Sequence, residues 1–145
     1  MENALDFIGY LKDYCTENKI FFVAGPRDYQ NAVLDKKIYD EYEMLLLVDL
    51  TFSPNFDDEL GTVIYTGTFA LGQKKEEDTV SSLDETFQQK YDRRLLKLAE
   101  ALAAMFNEMQ CDGDIEVLSW TGSYALNRFD LNADFVVANA SVKVR

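Results

Sequence analysis

The chain has 145 residues, 48% of them hydrophobic and 13% aromatic, which fits one globular domain over 1–145 with a core that needs no disulfide or metal staple. Its 26 acidic against 14 basic side chains give a formal charge of −12, which argues against nucleic acid as the main ligand and against an anionic membrane surface, since both are held by clustered Lys and Arg. It contains no histidine, so Ser-His-Asp and Cys-His nucleophile pairs, imidazole zinc ligands and an imidazole proton carrier are all excluded.

The chain begins Met1-Glu2-Asn3-Ala4-Leu5-Asp6, acidic where a secretory signal is basic. Its longest apolar runs, Ile20 to Ala24, Met44 to Val48 and Ala101 to Phe106, fall far short of the ~20 residues that span a bilayer. A soluble protein made inside the cell is expected. Asn3 and Asp6 have the spacing of a capping box, and Ala4, Phe7, Ile8, Leu11, Tyr14 and Cys15 follow at helical intervals, predicting a helix over 4–17. Asn18-Lys19 ends it, and Ile20 to Ala24, closed by Gly25-Pro26, reads as a short buried strand. From Arg27 to Tyr42 the apolar positions drift around a helix without forming a stripe, so this segment is read as a long exposed excursion.

Met44 to Phe52 alternates as a strand whose first half is apolar on both faces, and Ser53-Pro54-Asn55 stops it. After the acidic Asp57-Asp58-Glu59, a second strand sets Val63, Tyr65, Phe69 and Leu71 on one face and Thr62, Thr66 and Thr68 on the other. Gly67 interrupts it and marks a bulge or a close backbone approach. The two strands form an antiparallel hairpin with a long tip. Gln73 to Val80 is charged and aperiodic, which predicts a mobile loop. Ser82-Leu83-Asp84-Glu85 is a capping box, and the helix it opens carries Phe87, Tyr91, Leu95, Leu98, Leu102, Met105 and Met109 at steps of four and three. Asp112-Gly113 offers a left-handed residue to end it. Ile115 to Thr121 and Leu126 to Val144 read as two further strands around Gly122-Ser123. In the second, Phe129, Leu131, Ala133, Phe135 and Val137 oppose Arg128, Asp130, Asn132 and Asp134, one buried and one wet face. A later change of phase to Ala138, Ala140, Val142 and Val144 predicts a bulge, a bend or an end that pairs elsewhere.

No constellation of catalytic residues emerges. Asp112, Asp114 and Glu116 alternate, but they lack the further oxygen ligands of a calcium loop. Asp57, Asp58 and Glu59 read as a solvated hairpin tip. No phosphate-binding or nucleophile-elbow motif is present. Cys15 and Cys111 belong to no C-x-x-C pair and read as small core residues. Phe87, Tyr91 and Phe106 read as core, while Trp120 fits core or surface. Tyr29, Tyr39 and Tyr42 cluster where no core period exists, which leaves interface and local packing both open. No catalytic residue, cofactor or metal is therefore assigned.

The order of elements is helix, strand, excursion, hairpin, long helix and a strand pair. It predicts an α+β fold: a mostly antiparallel sheet of four to five strands with two helices packed on one face. In the helix Leu5 to Thr16, the hairpin Met44 to Leu71, the capped helix Ser82 to Met109 and the strands to Arg145, the chain resembles the tail terminator or tail-completion proteins of tailed bacteriophages. The resemblance covers nearly the whole chain and rests on size and element order. It implies a non-enzymatic homo-oligomeric ring subunit in the virion tail or neck, made in the host cytoplasm, with tail-tube or neck and connector proteins as partners. The residues suited to subunit contacts are Tyr29, Tyr39, Tyr42, Lys74, Lys75, Val142 and Val144, the last two by adding a strand to a neighbouring sheet. The alternative is a cytoplasmic acidic α+β binding or adaptor module, and the third reading an enzyme built on carboxylates.

Overall fold

The computed structural model describes residues 3–26, 42–54, 61–74, 87–128 and 133–145. The Asn3 side chain accepts from the Leu5 amide at 2.9 Å and starts a short 3₁₀ turn, Ala4–Asp6. Asp6 then caps the α-helix proper, α1 (Phe7–Glu17), by accepting from the Gly9 amide. Two successive caps thus replace the single capping box expected, and each satisfies an amide that the helix itself leaves unpaired. Lys19, at a left-handed φ of 56°, turns the chain directly into β1 (Ile20–Ala24).

The sheet has five strands in the order β1, β2 (Met44–Pro54), β3 (Val63–Lys74), β5 (Ala133–Val144), β4 (Ile115–Arg128). Every pairing is antiparallel except β1 with β2, which run parallel. The fold is thus α+β, and the sheet is mostly antiparallel. Parallel neighbours need a crossover of a dozen or more residues, so the length of chain between Ala24 and Met44 follows from the register. β1 is an edge strand in which Val23 alone is buried. Its apolar run reflects partial cover on both faces, not the full burial expected of it.

Both helices cover one face. The second, α2, begins as Phe87–Lys90, widens into a π turn at Tyr91–Leu95 and continues as Leu96–Cys111. Its stripe of Leu95, Leu98, Leu102, Met105, Phe106 and Met109 is buried together with Phe7, Leu11 and Cys15 of α1 on Leu46, Val48, Phe69, Leu71, Val136 and Ala138 of the sheet. Phe7 lies 6.5 Å from Phe69, Phe69 lies edge-on to Phe106 at 5.3 Å, and Phe106 stacks on Trp120 at 5.0 Å. An aromatic chain therefore runs from α1 across the sheet to β4. The Tyr65 hydroxyl donates to the Ala4 carbonyl at 2.7 Å and ties the first turn to β3. Phe87 is half exposed, not core. The π turn holds one residue more than an α turn, and this displaces the stripe upstream of Leu95 and brings Phe87 to the surface.

Three further expectations are corrected. Gly122-Ser123 is no turn: β4 runs unbroken from Ile115 to Arg128, so Leu126 to Arg128 belong to β4 and not to the last strand. β5 shows no bulge against β3, with register continuous from Lys74 opposite Ala133 to Val63 opposite Val144. Its change of phase arises because the opposite face is also dry at this end: Ala133, Phe135 and Val137 are buried there with Val23, Leu45, Leu47 and Ala70. Finally, α2 ends without a left-handed residue. Asp112 is extended, and its carboxylate accepts from the Asp114 amide at 2.9 Å. The Ser82 to Glu85 capping box, the Asp57 to Glu59 tip and most of the Gln73 to Val80 loop lie outside the described residues.

Gly67 marks the close approach expected of it. A Cβ there would collide with the Asp49 carbonyl oxygen, whereas one at Gly72 would meet the ring of Phe135. Overpacking of this kind costs about 1–3 kcal/mol. Gly67→Ala is expected to lower the melting temperature more than Gly72→Ala, because a carbonyl fixed in the ladder yields less than a ring. Adding Phe135→Leu should rescue only Gly72→Ala. The thiols make a second check. Cys15 is buried and desolvation pushes its pKa up to about 12, whereas Cys111 is exposed. Since the thiolate is the nucleophile, a thiol reagent near neutral pH should titrate one fast group in the native chain and two after denaturation.

Candidate functional site

Among the residues expected at subunit contacts, Tyr29, Tyr39 and Lys75 lie outside the described residues. Lys74 is the last residue of β3, opposite Ala133. Val142 and Val144 are fully buried beneath the helices, on a strand flanked by β3 and β4. β5 therefore has no open edge with which to add to a neighbour's sheet, and these two residues are core. Tyr42 is exposed and packs its ring on Phe21 at 5.3 Å. It lines an open cleft of about 530 Å³ with Lys19, Glu43, Met44 and Lys97. Two amines, one carboxylate and a phenol make this a polar surface recess at the start of the parallel pair.

A second exposed surface lies at the other edge of the sheet. β4 is its edge, and Leu118, Trp120, Tyr124 and Leu126 are all exposed there. Tyr124 meets Phe87 edge-on at 5.5 Å and Tyr91 at 6.4 Å, while Trp120 lies on Phe106. The rings are thus half seated on α2 and half open to solvent. Alternation explains the arrangement: Trp120, Gly122 and Tyr124 are paired with Ala140, Ala138 and Val136 on the helical face, and α2 is too narrow to cover a strand at the rim. Val117 to Asn127 contains no charged residue, although 28% of the chain is charged. Only Ile115 to Thr121 was legible as part of this strand; its continuation through Gly122-Ser123 to Arg128 and its edge position were not, because strand order is not written in periodicity.

The chemistry that sequence reasoning missed is internal. Asp134, expected on a wet face, is wholly buried on β5, and the Arg94 guanidinium of the π turn meets it at 3.0 Å through Nη2 and 3.1 Å through Nε. Arg94 is itself only 4% exposed. Gln73 is the cross-strand neighbour of Asp134, and its Oε1 is buried without a hydrogen-bond partner among the described residues. A signal for the pair existed: Asp134 stands inside the run Ala133 to Ala138, and a continuous apolar run marks a strand dry on both sides. An acid within such a run requires a cation.

Three other described carboxylates serve local structure. Asp6 and Asp112 cap turns, and Glu116 lies 3.8 Å from Arg145 with both side chains half exposed. Among the described residues no three His, Cys, Asp or Glu side chains converge as a metal site, and no helix is long and apolar enough to cross a membrane. Comparison with protein-family models, with curated proteins and with solved structures finds no match for the chain.

Arg94→Met removes the guanidinium from a wholly buried carboxylate and is expected to cost about 3–5 kcal/mol in urea unfolding. The double variant Arg94→Met with Asp134→Leu should recover most of that loss, because two apolar groups replace the pair. A double variant no more stable than Arg94→Met alone would show that the loss comes from packing and not from the stranded charge.

Proposed function

We propose that the chain is a non-enzymatic assembly protein, a subunit of a homo-oligomeric ring of the kind that closes the tail tube of tailed bacteriophages. The observation that carries the assembly reading is the exposed, uncharged, aromatic β4 edge. Soluble chains blunt long edge strands with Lys, Pro or cover, and between Val117 and Asn127 this one has neither Lys nor Pro. Contiguous apolar surface of this kind marks a contact with another macromolecule. The phage reading adds the order of elements, with two helices on one face of a small, mostly antiparallel sheet. On this reading the partners are further copies of the chain and the tail-tube or neck proteins, and the site of action is the virion tail or neck.

The test is mass in solution. Light scattering across protein concentration and salt, with negative-stain microscopy, should give a particle whose mass is a multiple of 16.6 kDa and whose outline is a closed ring. Replacing Tyr29, Tyr39 and Tyr42 together by Ser should shift the particle toward smaller species; unchanged assembly would remove those tyrosines from the contact. A chain that stays monomeric even with tail-tube protein present would sink the ring and favour the acidic adaptor module.

A further inference from the structure

We infer that β4 pairs antiparallel with β4 of a second copy about a two-fold axis at Gly122, joining the two five-stranded sheets edge to edge. The observation behind this is the register of β4 against β5. It slips between Val117 and Ser119 and again between Ala125 and Arg128, and it is regular from Ser119 to Ala125. Gly122 is the midpoint of that regular run. Bulges twist an edge away and end pairing, so they confine an added strand to this segment. Each alternate residue of an edge strand turns its N–H and C=O outward, and another β-strand is the group that satisfies them in series.

What selects a second copy is self-complementarity. Antiparallel pairing about Gly122 sets Trp120 opposite Tyr124 of the second copy, Thr121 opposite Ser123, and Gly122 opposite itself, with each set on the same face. Aromatic pairs across a strand boundary are favourable, and the two facing glycines leave room between the rings. No charge is buried, since Val117 to Asn127 has none. Beyond the bulges the segment is bracketed in sequence by Glu116, which lies 3.8 Å from Arg145 of its own chain, and by Arg128, so an antiparallel pair avoids setting two like ends together. A parallel arrangement would bring like ends together. The contact goes beyond the ring reading, because an isologous pair closes at two copies whereas a ring needs a head-to-tail contact.

The experiment is site-directed cross-linking in a Cys111→Ser background. A Cβ at Gly122 fits, its nearest neighbour being the Trp120 ring at 3.4 Å. Directly opposed Cα atoms lie about 4.5–5.5 Å apart, within disulfide reach, so Gly122→Cys should oxidise to a covalent dimer. Ser119→Cys should not link to itself, because the two copies would sit roughly 20 Å apart. A mixture of Thr121→Cys and Ser123→Cys chains should link across. In parallel, Thr121→Lys with Ser123→Lys, both exposed positions, should keep the far-UV spectrum and melting temperature of the monomer and raise the dimer dissociation constant at least tenfold. Rings that persist with no Gly122→Cys link and no effect of the lysines would overturn the β4 contact and leave the ring reading standing. A cross-linked dimer that never grows larger would uphold the contact and end the ring reading. A chain monomeric at every concentration would overturn both.

Discussion

The Asp134 carboxylate sits wholly buried on a strand that is dry on both sides, and the Arg94 guanidinium meets it at 3.0 Å. Such a pair adds little net stability, because desolvation of both ions offsets their attraction. What it contributes is position. Sliding α2 by one turn would move Arg94 about 5.4 Å and strand a charge in the core, so the pair fixes α2 along β5. The π turn at Tyr91–Leu95 belongs to the same constraint: it buries Arg94 and Leu95 side by side, one on the carboxylate and the other among the apolar side chains. With α2 so placed, Phe106 falls between Phe69 and Trp120, and Phe87 and Tyr91 reach Tyr124. The exposed rim of the sheet is thus arranged by a contact in its interior.

Much of this was legible in the residues. The period of Leu95, Leu98, Leu102, Met105 and Met109 marks the buried face of α2, and the alternation of Val63, Tyr65, Phe69 and Leu71 marks the helical face of β3; both agree with the structure. These are local signals, set by the geometry of a single element. The readings of Asp134, Val142 and Val144 failed for two other reasons. Burial on the second face turned the phase change of β5 into an ordinary central strand, and it turned Asp134 from a wet residue into a core one. Periodicity reports which side of a strand is dry when one side is wet. It carries no such information when both are dry, and it never reports which strands lie side by side. Val142 and Val144 were misjudged for the second reason and Asp134 for the first.

The two edges of the sheet differ in what they offer another chain. β1 is short, runs parallel to its neighbour and lies beside the polar recess of Lys19, Tyr42 and Lys97. β4 is long, antiparallel and uncharged over its middle. A short edge presents few open backbone groups, and polar or charged side chains around it discourage pairing. Shortness and polar surroundings thus protect β1, whereas β4 carries only its two bulges, and between them it lies open but for its seat on α2.

Net charge sharpens this contrast. Two copies at −12 each repel over the Debye length, about 8 Å at physiological ionic strength. That repulsion keeps chains apart in most orientations and falls as salt rises. A neutral strip on an acidic surface is then the place where close approach meets the least resistance, and hydrogen bonds between edges act only at close approach. The acidity of the chain thus acts on the rest of the surface as lysines act on an ordinary edge strand: it opposes close approach of a second copy everywhere but at the face from which charge has been left out.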